Sequence, residues 1–410
     1  MACGAGRDAL MTVQTLAGRE IVIGVTGSIG AVETVKLIHA LRRKGATVQP
    51  VMSEAAQGII HPDALTYASG KQTITRLTGM VEHVTCCGDG GSASLLLIAP
   101  CTANTLGKIA CGIDDTPVTT FATTALGSGI PVLVVPAMHH SMFRHMAVAK
   151  NIRTLESWGV GFAGPRIEEE KAKIADIDEI VLRCERAILG RPLAGKNVLV
   201  TSGACREPVD DVRILTTRSS GRMGQEIAFE AYRLGADVTI VHNGTLPCIY
   251  NVFVETAGEM QEAVDAYLKK GNPDLYISAA AISDFAPRKR EGKIKSGKPV
   301  TIDLLPLPKI IDHLMGKKAT RVVAFKIGRN PLPEAKALLE RGAWMVVTNT
   351  PESMGTATGT YCMLTRADKM GTPVSGTKEE IAARIWQALL SGIKGTTYDE
   401  PPVISRKRNS

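Results

Sequence analysis

The chain has 410 residues, of which 44% are hydrophobic and 21% charged, so it is long enough for two hydrophobic cores, and its composition excludes a disordered or fibrous protein. Its 48 basic and 40 acidic residues give a net charge of +8, and only 4% of its residues are aromatic, which argues against a nucleic-acid partner because base binding needs stacking platforms. The modest basic excess fits a protein whose ligands are phosphates.

The sequence predicts a cytoplasmic protein. No run of residues approaches the roughly 18 apolar residues that a membrane span requires, and residues 1–20 lack the continuous apolar core of a signal peptide. The 9 cysteines are scattered over both halves without the spacing of a disulfide framework or a zinc site, as expected in a reducing compartment. We therefore expect no membrane partner.

Two segments begin with an apolar, β-rich run that leads into glycine or serine and then into a helical pattern, at residues 21–30 and 198–203. After the first, apolar residues recur at helical spacing from Val32 to Leu41, and residues 47–52 form the next strand. This βαβ order predicts α/β domains with mostly parallel sheets. Further strands, whose apolar character indicates burial on both faces, are predicted at residues 95–99, 131–136, 238–242, 275–279, 322–325 and 345–348.

A helix that ends near Gly190, followed by Pro192 and a new strand, predicts a domain boundary. Residues after about 396 are polar and include paired prolines. We therefore predict an N-terminal extension (1–18), a first domain (19–190), a second domain (191–392) and a flexible tail (393–410).

Polar turns follow two strands of the first half. Small and hydroxyl residues at such turns let backbone amides meet a phosphate at a helix N-terminus, and the carboxyl ends of parallel strands form a ligand crevice. An ordinary tight turn or simple helix capping explains the same residues without a ligand. The turns contain Gly27 and Ser28 in one case and Thr102, Ala103, Asn104 and Thr105 in the other.

Histidines are the candidate acids and bases of the first half. His83 lies in the segment 81–84, and His139 and His140 follow the strand that ends at Pro136. An imidazole at a strand end beside a crevice suits proton transfer near neutral pH. A lone histidine is, however, more often a structural or surface residue.

Taken in order, these motifs resemble the homo-oligomeric flavin-containing cysteine decarboxylases, from about residue 19 to residue 178. The resemblance implies a flavodoxin-like fold, a trimer, and FMN at the subunit interface. It also implies that His83 is the catalytic base and that Met138 and His139 border the substrate. The implied FMN contacts are Gly27, Ser28, Ser53, Thr102, Ala103, Asn104 and Thr105.

Two positions depart from that family. His139 stands where an asparagine usually holds the substrate carboxylate, so an imidazole replaces an amide. The flap, residues 158–173, has no cysteine, although a flap cysteine usually delivers a proton in the reductive step. A different group must deliver that proton here.

The second half combines hydroxyls, glycines and guanidinium groups ahead of a helix, at residues 205–224, a mixture that suits phosphate recognition. Asp284 then follows a strand and precedes the basic run 288–298. Such a run is usually a solvated face, yet beside a nucleotide its lysines can neutralise a transferring phosphoryl group while the carboxylate binds magnesium. A solvated basic loop is the alternative.

Residues 197–390 resemble phosphopantothenate–cysteine ligases, which have a Rossmann-like nucleotide site and act as dimers. Thr217 replaces an asparagine common in that family, and Thr350 replaces an aspartate. The resemblance implies that Lys295 is catalytic and that Asp284 binds Mg²⁺. The implied substrate contacts are Arg206, Ser219, Ser220 and Gly221, and the implied nucleotide contacts are Asp284, Lys293, Lys295 and Phe325.

Fusion of these two families in this order resembles the bifunctional phosphopantothenoylcysteine decarboxylases and phosphopantothenate–cysteine ligases of coenzyme A biosynthesis. By that resemblance, CTP activates 4′-phosphopantothenate as an acyl-cytidylate that cysteine attacks, and FMN then supports decarboxylation to 4′-phosphopantetheine. A nicotinamide-dependent Rossmann oxidoreductase is a rival, although a full GxGxxG motif is lacking. A flavin-storage or regulatory protein is the non-enzymatic rival.

Overall fold

The computed structural model describes residues 13–168, 171–315 and 319–392. The chain separates into two compact units, and the division falls between Gly190 and Arg191. Residues 1–12 of the predicted extension and the whole predicted tail, 393–410, lie outside the described residues. None of the helices in the described ranges combines the length and the apolar character needed to cross a bilayer.

The first unit is built on a five-stranded sheet in the order β2-β1-β3-β4-β6, with every neighbouring pair parallel. This is the 2-1-3-4-5 order of flavodoxin-like folds, so the predicted fold class is confirmed for this half. Three short strands form a separate antiparallel sheet in the order β5-β8-β7. The strands are β1 (Glu20–Val25), β2 (Thr47–Met52), β3 (Ala93–Cys101), β4 (Val132–Pro136), β5 (Met138–His139), β6 (Gly161–Phe162), β7 (Arg166–Glu168) and β8 (Lys171–Lys173).

Helices cover both faces of the five-stranded sheet. They are α1 (Thr34–Arg43), α2 (Glu54–Gln57), α3 (Pro62–Ser69), α4 (Glu82–Cys87), α5 (Ala103–Ala110), α6 (Pro117–Gly127), α7 (His140–Phe143), α8 (Met146–Ser157) and α9 (Ile177–Ile188). Ile21 and Ile23 point into a core shared with α1, α3 and α9, while Val22 between them points into a second core with α5, α6 and α8. This alternation confirms that the strands are buried on both faces. Leu16 is fully buried in the first of these cores, so the packed structure begins ahead of residue 19.

The second unit contains an eight-stranded sheet in the order β13-β12-β9-β14-β17-β18-β19-β20. The pairs from β13 to β18 are parallel, and the last two pairs are antiparallel. Its first six strands follow the 3-2-1-4-5-6 order of Rossmann-like folds, which confirms the predicted class. The strands are β9 (Asn197–Thr201), β10 (Arg206–Pro208), β11 (Ile214–Thr216), β12 (Asp237–His242), β13 (Tyr250–Phe253), β14 (Leu275–Ser278), β15 (Phe285–Pro287), β16 (Leu304–Pro306), β17 (Arg321–Ile327), β18 (Met345–Asn349), β19 (Thr358–Thr365) and β20 (Thr372–Thr377).

Four helices flank this sheet: α10 (Arg222–Arg233), α11 (Ala257–Lys270), α12 (Leu332–Glu340) and α13 (Lys378–Ser391). Helices α10 and α13 pack together, and the buried indole N–H of Trp386 donates to the carbonyl of Ile227 at 3.0 Å. Two antiparallel ribbons, β10–β11 and β15–β16, extend from loops that follow strands of the sheet. Strands β19 and β20, at one end of the sheet, were not predicted, because β19 has only the short apolar run 361–364 among threonines and a glycine, and β20 has none.

Candidate active sites

Helix N-termini surround a cavity of about 550 Å³ in the first unit. Ser28 caps the short 3₁₀ helix Ile29–Glu33, and Ser53 caps α2. Thr102 caps α5, since its hydroxyl accepts from the backbone N–H of Thr105 at 3.2 Å, and Thr116 caps α6. Because the N-terminal end of a helix carries partial positive charge and free N–H groups, the polar wall of this cavity suits an anionic group.

A buried threonine fixes two of these turns against each other. The hydroxyl of Thr26 donates to the carbonyl of Pro100 at 2.8 Å and accepts from the backbone N–H of Thr102 at 3.0 Å. Each such buried hydrogen bond contributes about 1 kcal/mol. Thr26 therefore holds the turn after β1 beside the turn after β3, in the crevice that the strand ends form.

Apolar residues form another part of the cavity wall, and the charged side chains of Glu54 and Lys108 also line it. Ala103, Ala137, Met138 and Met142 line it alongside the capping residues. All seven residues predicted to contact the cofactor lie together here: Gly27, Ser28, Ser53, Thr102, Ala103, Asn104 and Thr105. An apolar wall beside hydroxyl, amide and helix N-terminal groups fits a flavin ring that carries a phosphate.

A second cavity, of about 870 Å³, adjoins the first and shares Ser28, Ala137 and Met138 with it. Both residues predicted to border the substrate, Met138 and His139, line this cavity. Nδ1 of His139 accepts from the backbone N–H of Ser141 at 3.3 Å, so in the neutral ring the proton is on Nε2. His139 can therefore donate a hydrogen bond to a carboxylate, as the usual asparagine amide would.

His83 lies in the first turn of α4. It does not lie at a strand end, which is the position that its sequence context predicts. Its ring makes an edge contact with Phe121, with centroids 6.4 Å apart. Its Nδ1 atom is buried and has no hydrogen-bond partner among the described residues. His83 is not among the residues that line either cavity, so the fold of one chain does not bring it to the predicted cofactor contacts.

In the second unit, a cavity forms where β14, β17 and β18 end, beside the N-terminus of α10. Gly221, at φ 72°, is the N-cap of α10 and provides no side-chain cap, which leaves backbone N–H groups for an anion. A Cβ on Gly224 would lie 2.4 Å from the hydroxyl oxygen of Ser202, so only glycine permits this close packing of helix on strand. Three predicted residues, Ser219, Gly221 and Phe325, line the cavity.

Sequence reasoning missed several residues of this cavity. Asn349 at the end of β18, Tyr361 on β19 and Lys378 at the start of α13 all line it. Asn349 could have been predicted as a site residue, because it is a polar residue that directly follows an apolar run. Tyr361 and Lys378 carried no such signal, because they reach the cavity only through the pairing of β19 with β18 and the packing of α13.

The other predicted ligase residues do not line that cavity. Their side chains are exposed: Arg206, Ser220, Asp284, Lys293 and Lys295. Among the described residues, no group of three or more acidic, histidine or cysteine side chains is placed to hold a metal ion. A magnesium ion bound mainly by substrate phosphates needs only one or two protein carboxylates, and Asp284 is compatible with that arrangement.

A buried carboxylate anchors the loop that carries the lysines. Asp210 accepts from the backbone N–H groups of Val212 at 2.8 Å, Arg213 at 2.7 Å and Ile294 at 3.0 Å, and it contacts the Arg213 guanidinium. These hydrogen bonds, led by that from Ile294, hold the pKa of Asp210 well below its usual range. Ile294 lies between Lys293 and Lys295. Its hydrogen bond to Asp210 therefore holds the backbone that carries both lysines next to the loop after β10.

Comparison with known proteins gives matches for both halves. Residues 11–188 match the Flavoprotein family, and residues 193–393 match the DNA/pantothenate metabolism flavoprotein C-terminal domain family. A coenzyme A biosynthesis bifunctional protein, CoaBC, of Thermococcus kodakarensis is 44% identical over 386 residues, which cover 91% of this chain and 95% of that protein.

Two solved structures are also similar. The C-terminal domain of a CoaBC protein is 30% identical, with 48% of this chain and 96% of that chain covered and a TM-score of 0.40. The FMN-dependent cysteine decarboxylase SpaF is 27% identical, with 42% and 98% covered and a TM-score of 0.37.

The fold and the cavities define a two-unit α/β flavoprotein, with a flavodoxin-like half followed by a Rossmann-like half. The chain belongs to the family of coenzyme A biosynthesis bifunctional proteins. The family predicted from the sequence motifs is thereby confirmed.

Proposed function

We propose that this chain catalyses two successive steps of coenzyme A biosynthesis. The second half joins cysteine to 4′-phosphopantothenate, and the first half decarboxylates the product to 4′-phosphopantetheine. The observation that carries the proposal is that one member of this family contains two separate cavities. The first unit has a cavity walled by helix N-termini, and the second has a cavity at the strand ends of a Rossmann-like sheet.

In the decarboxylase half, the cofactor is FMN, which accepts electrons from the substrate thiol and later returns them. The capping hydroxyls and N–H groups around Ser28, Ser53 and Thr102 would hold its phosphate and polar ring edge, and Met138, which lines the same cavity, would offer the ring an apolar contact. Nε2–H of His139 holds the substrate carboxylate. His83 takes the proton that leaves the substrate.

Because His83 does not line the predicted cofactor cavity of its own chain, it serves the site of a neighbouring copy in a trimer. Its buried Nδ1 atom, which has no hydrogen-bond partner in the described part of the chain, supports a role in which a group from outside the chain completes its hydrogen bonding. The second half pairs separately into dimers. We place the resulting homo-oligomer in the cytoplasm.

In the ligase half, the nucleotide is CTP and its phosphates bind at the N-terminus of α10, next to Ser219 and Gly221. Phe325 borders the base. The phosphopantothenate carboxylate attacks the α-phosphorus, pyrophosphate leaves, and the cysteine amine then displaces CMP from the acyl-cytidylate. Lys293 and Lys295 neutralise the charge that develops, and Asp284 contributes to Mg²⁺ binding.

Incubation of the purified chain with 4′-phosphopantothenate, cysteine, CTP and Mg²⁺, followed by mass analysis, tests the proposal. We expect CMP, pyrophosphate, carbon dioxide and 4′-phosphopantetheine, with none of them formed when cysteine and CTP are both omitted. A parallel reaction with ATP measures nucleotide preference. A yellow protein that releases FMN on denaturation but forms no product would instead be a flavin-storage protein.

A further inference from the structure

A lysine that has no ion-pair partner in the described ranges of the chain lines the cavity of the second unit. Lys378 is the first residue of α13, and only 5% of its surface is exposed. It nevertheless lines the cavity beside Gly221 and Phe325. Among the residues that the structure describes, no carboxylate forms an ion pair with it and no side chain hydrogen-bonds to it.

The surroundings of Lys378 add positive charge. The 12-residue helix α10 begins at the cavity with uncapped N–H groups, and its first residue is Arg222. Burial, together with the charge of Arg222, lowers the pKa of Lys378. The carboxylate of Glu226 opposes this lowering of the pKa only in part, and it also pairs with Arg222 at 3.6 Å. A buried cation without a counter-ion destabilises a protein, so a purely structural lysine here has no evident role.

The backbone of Lys378 is held firmly in place. Its N–H donates to the carbonyl of Ala357 at 3.1 Å, and the preceding Thr377 forms a capping box with Glu380. Since the backbone is ordered and the side chain is largely buried, anion binding costs less conformational entropy here than at an exposed lysine on a mobile loop.

We propose that Lys378 binds the phosphate groups of the nucleotide in the ligase site, together with the N-terminus of α10. This inference rests on the proposed ligase function and adds a residue to it. 4′-Phosphopantothenate also carries a phosphate, and separate titrations with CTP and with 4′-phosphopantothenate distinguish which of these phosphates Lys378 binds.

The test uses the full chain with Lys378→Met, and Lys270→Met as a matched control, because Lys270 is exposed at the end of α11. Calorimetric titration with CTP, with cytidine and with 4′-phosphopantothenate separates the three ligands. A charge-assisted hydrogen bond corresponds to roughly a tenfold to hundredfold change in affinity. We expect a loss of that size for CTP in Lys378→Met, with unchanged binding of cytidine and of 4′-phosphopantothenate, and no loss in Lys270→Met.

The melting temperature of the ligand-free protein gives a second readout. Removal of an uncompensated buried charge should leave Lys378→Met at least as stable as the parent chain, whereas loss of a structural ion pair would destabilise it. If Lys378→Met is poorly folded, Lys378→Gln provides the same comparison with a polar side chain, and Lys378→Arg should retain CTP binding.

Unchanged CTP affinity in Lys378→Met would overturn the inference, as would an equal loss for cytidine or a loss confined to 4′-phosphopantothenate. If the parent chain binds neither CTP nor ATP, the ligase proposal itself fails and this inference fails with it. That result is distinct from a loss seen only in the variant.

Discussion

At the scale of single residues, His83 combines a chemistry that the proposed decarboxylation needs with an unusual environment. Its Nδ1 atom is buried without a partner among the described residues, and its ring contacts Phe121. A buried polar atom that lacks a hydrogen bond costs about 1–3 kcal/mol. This cost is understandable if the histidine is placed for a substrate that completes its hydrogen bonding.

We therefore expect His83→Asn to keep the bound flavin but to lose decarboxylase activity by roughly a hundredfold to ten-thousandfold, the usual effect of removing a general base. Ligation of cysteine to 4′-phosphopantothenate should be unaffected and serves as the control for folding. Carbon dioxide release and flavin absorbance measure the two properties. Decarboxylation at the parental rate with flavin retained would make His83 structural, and His139 and His140 would be examined next.

Gly27 provides a second residue-scale test. A Cβ at this position would lie 2.6 Å from the Cβ of Ala55, whereas a Cβ on the nearby Gly58 would meet nothing closer than 3.7 Å. Gly27→Ala must therefore displace the turn that carries Ser28, with a cost of about 1–3 kcal/mol. We expect weaker FMN binding in a fluorescence titration of Gly27→Ala and parental binding in Gly58→Ala. Equal affinities in the two variants would show that the turn does not contact FMN.

At the scale of elements, the two lysines predicted for the ligase reaction sit on an exposed loop, and their position depends on Asp210. That carboxylate links the loop after β10 to the backbone of Ile294. Asp210→Asn keeps the size of the side chain but places a donor where an acceptor is needed. We expect ligation to slow by roughly tenfold or more, while decarboxylation of supplied phosphopantothenoylcysteine continues at the parental rate.

Asp303→Asn, at an exposed position, is the matched control for Asp210→Asn. The pKa of Asp210 is lowered in the folded chain, so the stabilisation that it provides is complete above the unfolded pKa of about 3.9 and is lost only as the pH falls through the lower folded value. The ligation rate should thus show no transition from this group between about pH 5 and pH 8. A parental ligation rate in Asp210→Asn would remove the anchoring role.

The small elements around the first-unit cavity illustrate how helix ends create a site. Four hydroxyl caps, on Ser28, Ser53, Thr102 and Thr116, satisfy N–H groups within their own helices and at the same time face one cavity. Each cap is worth about 1 kcal/mol to its helix. The residues that stabilise the fold locally are therefore also those available to an anionic ligand.

At the scale of the whole molecule, the two units divide the chain between residues 190 and 191, and each contains its own sheet and cores. We expect a fragment that starts at Leu193 to fold alone, since its sheet is complete within residues 197–377. It should melt cooperatively and release pyrophosphate from CTP only when 4′-phosphopantothenate is present. A fragment that is unfolded by circular dichroism while the full chain is folded would contradict independent folding of this unit.

Much of this architecture was predictable from the sequence because it depends on local pattern. The apolar runs at residues 21–25 and 345–348 and the βαβ context of residues 47–52 specify strands, and glycine and hydroxyl residues after them mark the turns. The alternation of strands and helices then leaves few parallel arrangements. The family resemblance implies seven cofactor contacts, and all seven line one cavity.

Other features depended on tertiary structure. Strand β20 forms an edge of the sheet and β19 lies between it and β18; β20 has no apolar run and β19 has only a short one, so their antiparallel pairing defines them. Lys378 reaches the ligase cavity because α13 returns against α10, and Asp210 meets Ile294 because two distant loops are adjacent. The sequence by itself determined the strands, turns and caps, whose signals lie within a few neighbouring residues. Contacts between distant segments were decided only by how those elements pack, because no local pattern encodes which charged side chains will face each other.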